Sequence, residues 1–301
     1  MSSRLGEIES RTATARQLES VISAMRGIAA AREREAQGRL AGIRSAAATV
    51  GEAIGMVLAA APSALPSAAP SLHAADRASE RGLTRIVIVV CTEQGFVGGF
   101  NEHLVERVEH LQADAAAEIF VVGTRGAMLA HERGLKWAWS VPMAAHADDV
   151  MRVAGAITDA VYARFSDRDT SEVWLVHAIP GPGLEDRIVT RRLVPFDFAR
   201  FRMSSRMQPP LLNLSLDRLL EGLTERYVYV ELCEGLMQSF AAENAARVAA
   251  MLAASQHVKD KLEVLTRDYR IVRQDEITSE IVELASTSAF AQADSDGQVQ
   301  P

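Results

Sequence analysis

The sequence predicts an α/β protein: an antiparallel coiled coil of two long helices, one from each end of the chain, and an inserted Rossmann-like, mainly parallel α/β domain. Heptad repeats of apolar residues run through both ends of the chain. Between them, short β-branched runs alternate with helical segments, which is typical of a doubly wound sheet. No proline lies between Pro210 and Pro301, and no glycine lies between Gly235 and Gly297. The last third therefore lacks the residues that interrupt helices.

Residues 211–292 form the longest predicted helix, and the stretch after Gly235 alone would be roughly 90 Å long at the helical rise. One seam position holds Met237, Asn244, Met251, Val258, Leu265 and Val272, and the second holds Ala241, Val248, Ser255, Leu262 and Tyr269. A seven-residue repeat keeps such a seam facing a partner helix, which predicts a coiled coil. Polar Asn244, Ser255 and Glu276 interrupt it, so a long core helix of an all-α domain is the alternative.

Residues 2–61 predict the partner helix. One heptad position holds Ile8, Ala15, Ile22, Ala29, Ala36, Ile43, Val50 and Val57. The companion position holds Leu18, Met25, Ala46 and Ala53, with Arg11, Arg32 and Arg39 in the same row. Pro62 ends the helix, and residues 62–82 predict a linker because they are rich in proline, serine and alanine.

Residues 83–200 predict the α/β domain, and residues 293–301 a tail. Strands are expected at 85–91, 118–123, 135–141, 172–179 and 187–194, and helices at 102–116, 124–133 and 148–165. Trp137 and Trp139 would share one face of the third strand. Alternating strands and helices predict a mainly parallel, doubly wound sheet.

Composition excludes several classes of protein. The net charge of −7 and the pI near 5.6 argue against a nucleic-acid-binding protein. The uncharged stretch 53–75 contains three prolines, so it cannot form one membrane-spanning helix. Cys91 and Cys233 lie far apart and form no CxxC motif, which predicts a reducing compartment and no disulfide framework.

No catalytic, cofactor-binding or metal site is predicted. The glycine-containing loop 92–99 follows the first strand, where doubly wound folds bind phosphates. Its spacing matches no phosphate-binding motif, and Glu93 would repel a phosphate, so a tight turn is the simpler interpretation. Asp148 and Asp149 are interpreted as favourable charges at a helix start. Cys91 ends a buried strand and is expected to be an inert thiol.

The first helix carries more basic than acidic residues over its middle part. Its basic collar comprises Arg26, Arg32, Arg34, Arg39 and Arg44, against Glu33 and Glu35. Two interpretations stay open at this point: a solvated helix face, or a surface that meets acidic groups on a partner.

Three blocks of sequence resemble the gamma-subunit family of rotary F-type ATP synthases, the central shaft of the catalytic head. They are residues 24–37, residues 92–101, and Glu243–Arg247 continuing through Tyr269, Arg273, Gln274 and residues 277–281. Members usually have a basic residue at the position of Gln94 and a cysteine at that of Val97. These departures leave the subtype of the subunit open, and a divergent second-copy form is one of the alternatives.

The resemblance implies a non-catalytic subunit that rotates inside a ring of three alpha and three beta subunits. It would couple ion flow across the membrane to ATP synthesis or hydrolysis, with no cofactor of its own. The epsilon subunit and the c-ring would bind at its base. The complex would lie at the cytoplasmic face of the cell membrane as a peripheral F1 assembly.

The resemblance also implies a partner interface on both long helices. It comprises Met25, Arg26, Arg32, Arg34, Gln37, Arg39 and Arg44 on the first helix, and Glu243, Arg247, Arg273, Gln274, Thr278 and Glu280 on the last. Two other functions remain as alternatives. A static coiled-coil scaffold would form a stable homo-oligomer, and a stand-alone α/β nucleotide-binding enzyme would bind a nucleotide without partners.

Overall fold

The computed structural model describes residues 2–60, 84–114, 116–167, 170–181, 187–201 and 213–296. The predicted linker, residues 62–82, lies outside the described residues. The chain divides into two compact units, the first made of Met1–Gly27 with Met251–Pro301 and the second of Ile28–Ala250. These units cut across the domains drawn from the sequence, so those domain boundaries stay predictions.

The helices and strands follow the predicted order. They are α1 (Ser2–Ala60), β1 (Thr84–Val90), α2 (Phe100–Asp114), β2 (Ala117–Val122), α3 (Thr124–Glu132), β3 (Trp139–Val141), α4 (Val150–Asp167), β4 (Thr170–Ala178), β5 (Ile188–Val194) and α5 (Leu216–Asp296). The last helix begins five residues later than position 211 and continues past position 292. Short 3₁₀ turns cover Ala147–Asp149 and Phe198–Arg200.

Within the described residues the strands form one five-stranded sheet in the order β3-β2-β1-β4-β5. β1 pairs in parallel with β2 and β4, β2 pairs in parallel with β3, and β5 is the antiparallel edge. Val87, for example, lies between Ile119 and Trp174 in the register. The mainly parallel sheet predicted from the β-branched runs is confirmed.

The sheet of the second unit is buried on both faces, as its continuous apolar strands require. One face presents Ile86, Ile88 and Phe120 to a core shared with α1, α4 and α5. The other face presents Val87 and Val89 to a core shared with α2 and α3.

The prediction for the third strand was partly wrong. β3 has only three residues and starts at Trp139, so Trp137 precedes the strand. Trp139 packs beside Phe120 on one face of the sheet, whereas Trp137 packs against the core of the opposite face. The alternation of a strand therefore does not apply to this pair of tryptophans.

In the second unit α1 packs against α5 in the antiparallel sense. Arg44 Nε donates a hydrogen bond to Glu234 Oε1 at 3.0 Å. Farther along α1, a Cβ at Gly51 would lie 3.7 Å from Tyr227, an earlier residue of α5. Farther still, Ile54, Val57 and Leu58 share a cluster with Leu220 and Tyr227. Moving forward on α1 therefore means moving backward on α5.

In the first unit the same two helices share a buried cluster of Ile22, Met251 and Val258. Met25, Ala15, Ala254 and Leu262 pack around it. These residues lie on or beside the predicted heptad seams, and the seam residue Leu265 is 5% exposed while its neighbour Val264 is 42% exposed. The apolar repeat of the last helix is thus confirmed as its buried stripe.

The companion row predicted for α1 was partly wrong: Met25 and Ala53 are half-buried, but Leu18 and Ala46 are not. Leu18 is 50% exposed and Ala46 is exposed as well. The buried or half-buried row instead holds Leu40, Ala47 and Ile54. Residues three and four positions after a seam residue both flank the same helix face, so the sequence repeat alone did not distinguish them.

Candidate functional interface

The crevice in which open α/β sheets bind ligands is filled here by the chain itself. In such sheets a ligand binds outside the carboxyl ends of the strands, where the strand order reverses. Here that point lies between β1 and β4. Ser239 Oγ of α5 donates a hydrogen bond to the carbonyl of Val90, the last residue of β1, at 3.1 Å. Beside it, a Cβ at Gly235 would lie 2.5 Å from Leu175 of β4.

The loop after β1 is held by a carboxylate and not shaped for a phosphate. Glu93 accepts hydrogen bonds from Thr124 N at 3.0 Å, Thr124 Oγ1 at 2.7 Å and Met143 N at 2.8 Å. The first of these occupies the N-terminus of α3, which is where an anion would otherwise bind. The structure therefore supports the tight-turn interpretation of this loop, with positive φ at Phe96 and Gly98.

A buried ion pair attaches α5 to the same loop. Arg247 Nη2 donates to Glu243 Oε1 at 2.6 Å and to the carbonyl of Gln94 at 3.2 Å. Arg247 Nε donates to the carbonyl of Gly95 at 3.2 Å, and Nη1 donates to Asn244 Oδ1 at 3.2 Å. Glu243 and Arg247 are each only 5% exposed. A buried pair of charges is tolerated when hydrogen bonds satisfy it, as they do here.

Burial shifts the pKa of Glu243 itself and that of the Cys91 thiol. Burial raises the pKa of Glu243 to about 7, although the charge of Arg247 acts in the opposite direction. Burial, together with the negative charge of Glu243, raises the pKa of the Cys91 thiol to about 12. A thiol with so high a pKa carries almost no thiolate, which agrees with the expectation that Cys91 is inert.

The basic collar of α1 is partly engaged within the chain. Arg39 donates to Asp148 and to Glu35, and Arg44 donates to Glu234. The Arg39 guanidinium lowers the pKa of the Asp148 carboxyl. Asp148 therefore forms an ion pair from the 3₁₀ turn before α4, which the helix-start interpretation of this residue did not foresee.

The other predicted interface residues of α1 are exposed or half-buried. Arg34 Nε donates to the carbonyl of Ala30 at 3.1 Å and is exposed. Gln37 is exposed and donates to Glu33 at 3.1 Å. Arg26 and Arg32 are half-buried, and the charge of Arg32 acts to lower the pKa of Glu243. Met25 packs half-buried beside the cluster of the first unit.

The predicted interface residues of α5 fall into two groups. Arg273, Gln274, Thr278 and Glu280 are all exposed, and Thr278 Oγ1 donates to the carbonyl of Gln274 at 2.8 Å. Glu243 and Arg247 are buried against their own chain, unlike residues of an outer contact surface. The structure does not bring the predicted set together in one pocket, since its members belong to both units.

Three contacts of this region were missed from the sequence. Ser239, Gly235 and the bonds of Glu93 hold helix, sheet and loop together. Ser239 and Gly235 belong to no recognised motif, and the block 92–101 did not indicate the partners of Glu93. The helix glycine Gly235 was the available signal, because a glycine inside a helix often marks a close approach.

Metal-binding clusters and membrane-spanning helices do not occur among the described residues. No group of three or more metal-binding side chains occurs in the described part of the chain. Across the same described ranges, none of the helices combines the length and the apolar character needed to cross a membrane.

Comparisons with known proteins agree on one family. The family model described as ATP synthase matches residues 4–289. The ATP synthase gamma chain of Frankia casuarinae is 28% identical over 296 residues, covering 94% of this chain and 96% of its own length. The ATP synthase gamma chain of Streptomyces avermitilis is 29% identical over 227 residues, covering 70% of this chain and 74% of its own.

Solved structures share the fold. A chain of the Euglena gracilis mitochondrial ATP synthase, solved as OSCP/F1/c-ring in rotational state 3, matches with a TM-score of 0.67 at 11% identity. The match covers 100% of this chain and 98% of that one. A chain of the rotor of the same organism's enzyme, in rotational state 1, matches with a TM-score of 0.61 at 10% identity, covering 92% of this chain and 100% of that one.

Proposed function

This chain belongs to the ATP synthase family, in which its relatives are gamma chains, and on that premise we propose how it acts within the complex. Its function is that of the central-stalk subunit of a rotary ATP synthase. It couples ion transport to ATP synthesis or hydrolysis and is itself not catalytic.

The observation that carries the proposal is the packing of α1 with α5 in each unit. Their apolar seams are buried, and their outward faces are unlike: α1 presents the basic collar, whereas α5 presents Arg273, Gln274, Thr278 and Glu280. A pair of unlike helices has no threefold symmetry. Each of three surrounding beta subunits would therefore meet a different face, and different contacts shift each nucleotide site toward a different state.

We assign the contacts with the beta subunits to the exposed members of the predicted interface. These are Arg34, Gln37, Arg44, Arg273, Gln274, Thr278 and Glu280. On α1, the half-buried Met25, Arg26, Arg32 and Arg39 would support the exposed residues that neighbour them on the same helix. Glu243 and Arg247 have internal partners instead, and we assign them to holding α5 on the loop at Gln94 and Gly95.

The proposed complex contains three alpha subunits, three beta subunits and one copy of this chain, with the epsilon subunit and a c-ring at its base. The Euglena structure, solved with F1 and a c-ring, supports the alpha, beta and c-ring partners. We place the complex at the cytoplasmic face of the cell membrane as a peripheral assembly.

Co-purification with the alpha and beta subunits tests this proposal. Native mass measurement of the purified complex should give a 3:3:1 assembly. A homo-oligomer of this chain without alpha and beta would favour the static scaffold. Stoichiometric nucleotide binding by the chain alone would favour the stand-alone enzyme, which the filled crevice at Val90 and Ser239 already disfavours.

A further inference from the structure

An apolar cavity of about 450 Å³ lies in the second unit. It is bounded by α4, by β4 and β5, and by the first turns of α5; its apolar lining includes Val161, Val173, Leu193, Leu220, Val228 and Leu232. The hydroxyls of Thr158 and Thr224 each donate to a carbonyl of their own helix, at 2.8 and 2.7 Å. The interior therefore suits the hydrocarbon or aromatic part of a ligand.

One edge of this cavity carries three carboxylates. Asp217, Glu221 and Glu225 lie four residues apart on α5, so they project from one face of the helix. Glu225 is hydrogen-bonded to Tyr162. Asp217 and Glu221 are exposed and have no hydrogen-bond or ion-pair partner in the part of the chain that the structure describes.

Among the described residues that line the cavity, the charged ones are all acidic. Like charges at this spacing on a helix repel each other, and a cation placed between them would relieve that repulsion. An apolar chamber with an anionic edge is complementary to a molecule that has an apolar body and a positive head.

We propose that this cavity is a binding site for an organic cation with an apolar body, that is, a hydrophobic ammonium. The apolar part enters between α4 and β5, and the ammonium group lies at the edge beside Asp217 and Glu221. Apolar burial supplies most of the affinity, and the carboxylates select a cation over a neutral or anionic molecule of the same shape. The site is independent of the contacts proposed for the beta subunits.

The test uses the full chain and two probes, phenylbutyl trimethylammonium and its uncharged carbon isostere, measured by titration calorimetry. The ammonium should bind one-to-one and at least about fivefold more tightly than the isostere. The double variant Asp217→Asn with Glu221→Gln should remove that preference. Glu132→Gln, an exposed carboxylate on α3, is the matched control and should leave it unchanged.

A second variant tests the chamber itself. Val228 is half-buried and lines the cavity, so Val228→Trp should fill it and abolish binding of both probes, with thermal unfolding as the check on folding. The proposal is overturned if the ammonium does not bind, or if the two probes bind equally well. Binding that survives in a folded Val228→Trp variant overturns it too.

Discussion

At the scale of single residues, Gly235 shows how closely α5 approaches the sheet. A Cβ there would lie 2.5 Å from Leu175 Cδ2 and 3.2 Å from His177 Cδ2. Gly235→Ala should therefore destabilise the fold by about 1–3 kcal/mol, although alanine is the better helix former. Gly222 on the same helix has no atom within 4 Å of such a Cβ, so Gly222→Ala should stabilise by roughly 0.5–1 kcal/mol.

Urea denaturation of both glycine variants, compared with the wild type, measures this difference. The account requires opposite signs for the two substitutions. Equal stabilisation by both would mean that the contact between α5 and β4 is not as close as described.

The buried Glu243 carboxyl predicts a pH dependence of stability. Its pKa is raised by burial from the ordinary value of 4.5 to about 7, so the folded state holds the proton more tightly than the unfolded chain. Binding of this proton therefore stabilises the folded state. That contribution is complete below pH 4.5 and is lost as the pH rises through 7. Glu243→Gln should remove this contribution.

The measurement is the free energy of unfolding across that pH range for the wild type minus that of Glu243→Gln. The difference should fall as the pH rises, whereas Glu132→Gln, at an exposed site, should give a flat difference. A flat difference for Glu243→Gln would show that this group titrates normally in the folded chain.

At the scale of elements, the seam of α5 in the first unit has a matched pair of neighbours. Leu265 is buried and Val264 is largely exposed. Leu265→Asp should destabilise by more than about 2 kcal/mol, because it places a charge in an apolar seam and leaves its packing unfilled. Val264→Asp should change stability by less than about 0.5 kcal/mol.

Circular dichroism during thermal unfolding compares the two aspartate variants. If only Leu265→Asp loses its helix at a lower temperature, the assignment of Leu265 to the buried seam is supported. Similar melting of both variants would contradict the assignment of the buried stripe.

The elements themselves were largely predictable, and the reasons are local. The heptad repeat of α5 and the β-branched runs of β1 and β2 carry their period in the sequence, so burial could be assigned from pattern. The companion row of α1 was not assignable, because Leu18 and Leu40 both fit an apolar face and only the neighbours decide between them. The length of β3 likewise depends on how many of its residues pair with β2, and the presence of Trp137 in the sequence does not indicate that number.

The candidate site was less predictable than the fold. In the sequence, Glu93 argued against a phosphate at the loop after β1. The sequence did not reveal that this carboxylate accepts hydrogen bonds from Thr124 and Met143. It identified Arg247 from the family block, but not its burial against Glu243. Such contacts join residues far apart in the chain, and no local pattern encodes them.

At the scale of the whole molecule, the proposed contact surface on α5 predicts a loss of coupling. Arg273→Ala combined with Gln274→Ala removes two exposed polar side chains without touching the buried seam. ATP synthesis driven by an ion gradient should fall severalfold in the assembled enzyme. The control is Thr266→Ala with Arg267→Ala, exposed on the same helix but outside the proposed surface.

Membrane vesicles carrying each assembled variant provide the measurement. Equal synthesis rates in the Arg273/Gln274 variant and the control variant would remove these two residues from the interface.

We expect this chain to turn as the shaft of the catalytic head, and its rotation can be observed in a single complex. A probe attached through Glu132→Cys on α3, with the alpha and beta subunits fixed to a surface, reports the movement of the chain when ATP is added. The account predicts rotation in one direction with three pauses per turn, one for each beta subunit. ATP hydrolysis by the assembled complex while the probe stays still would contradict it.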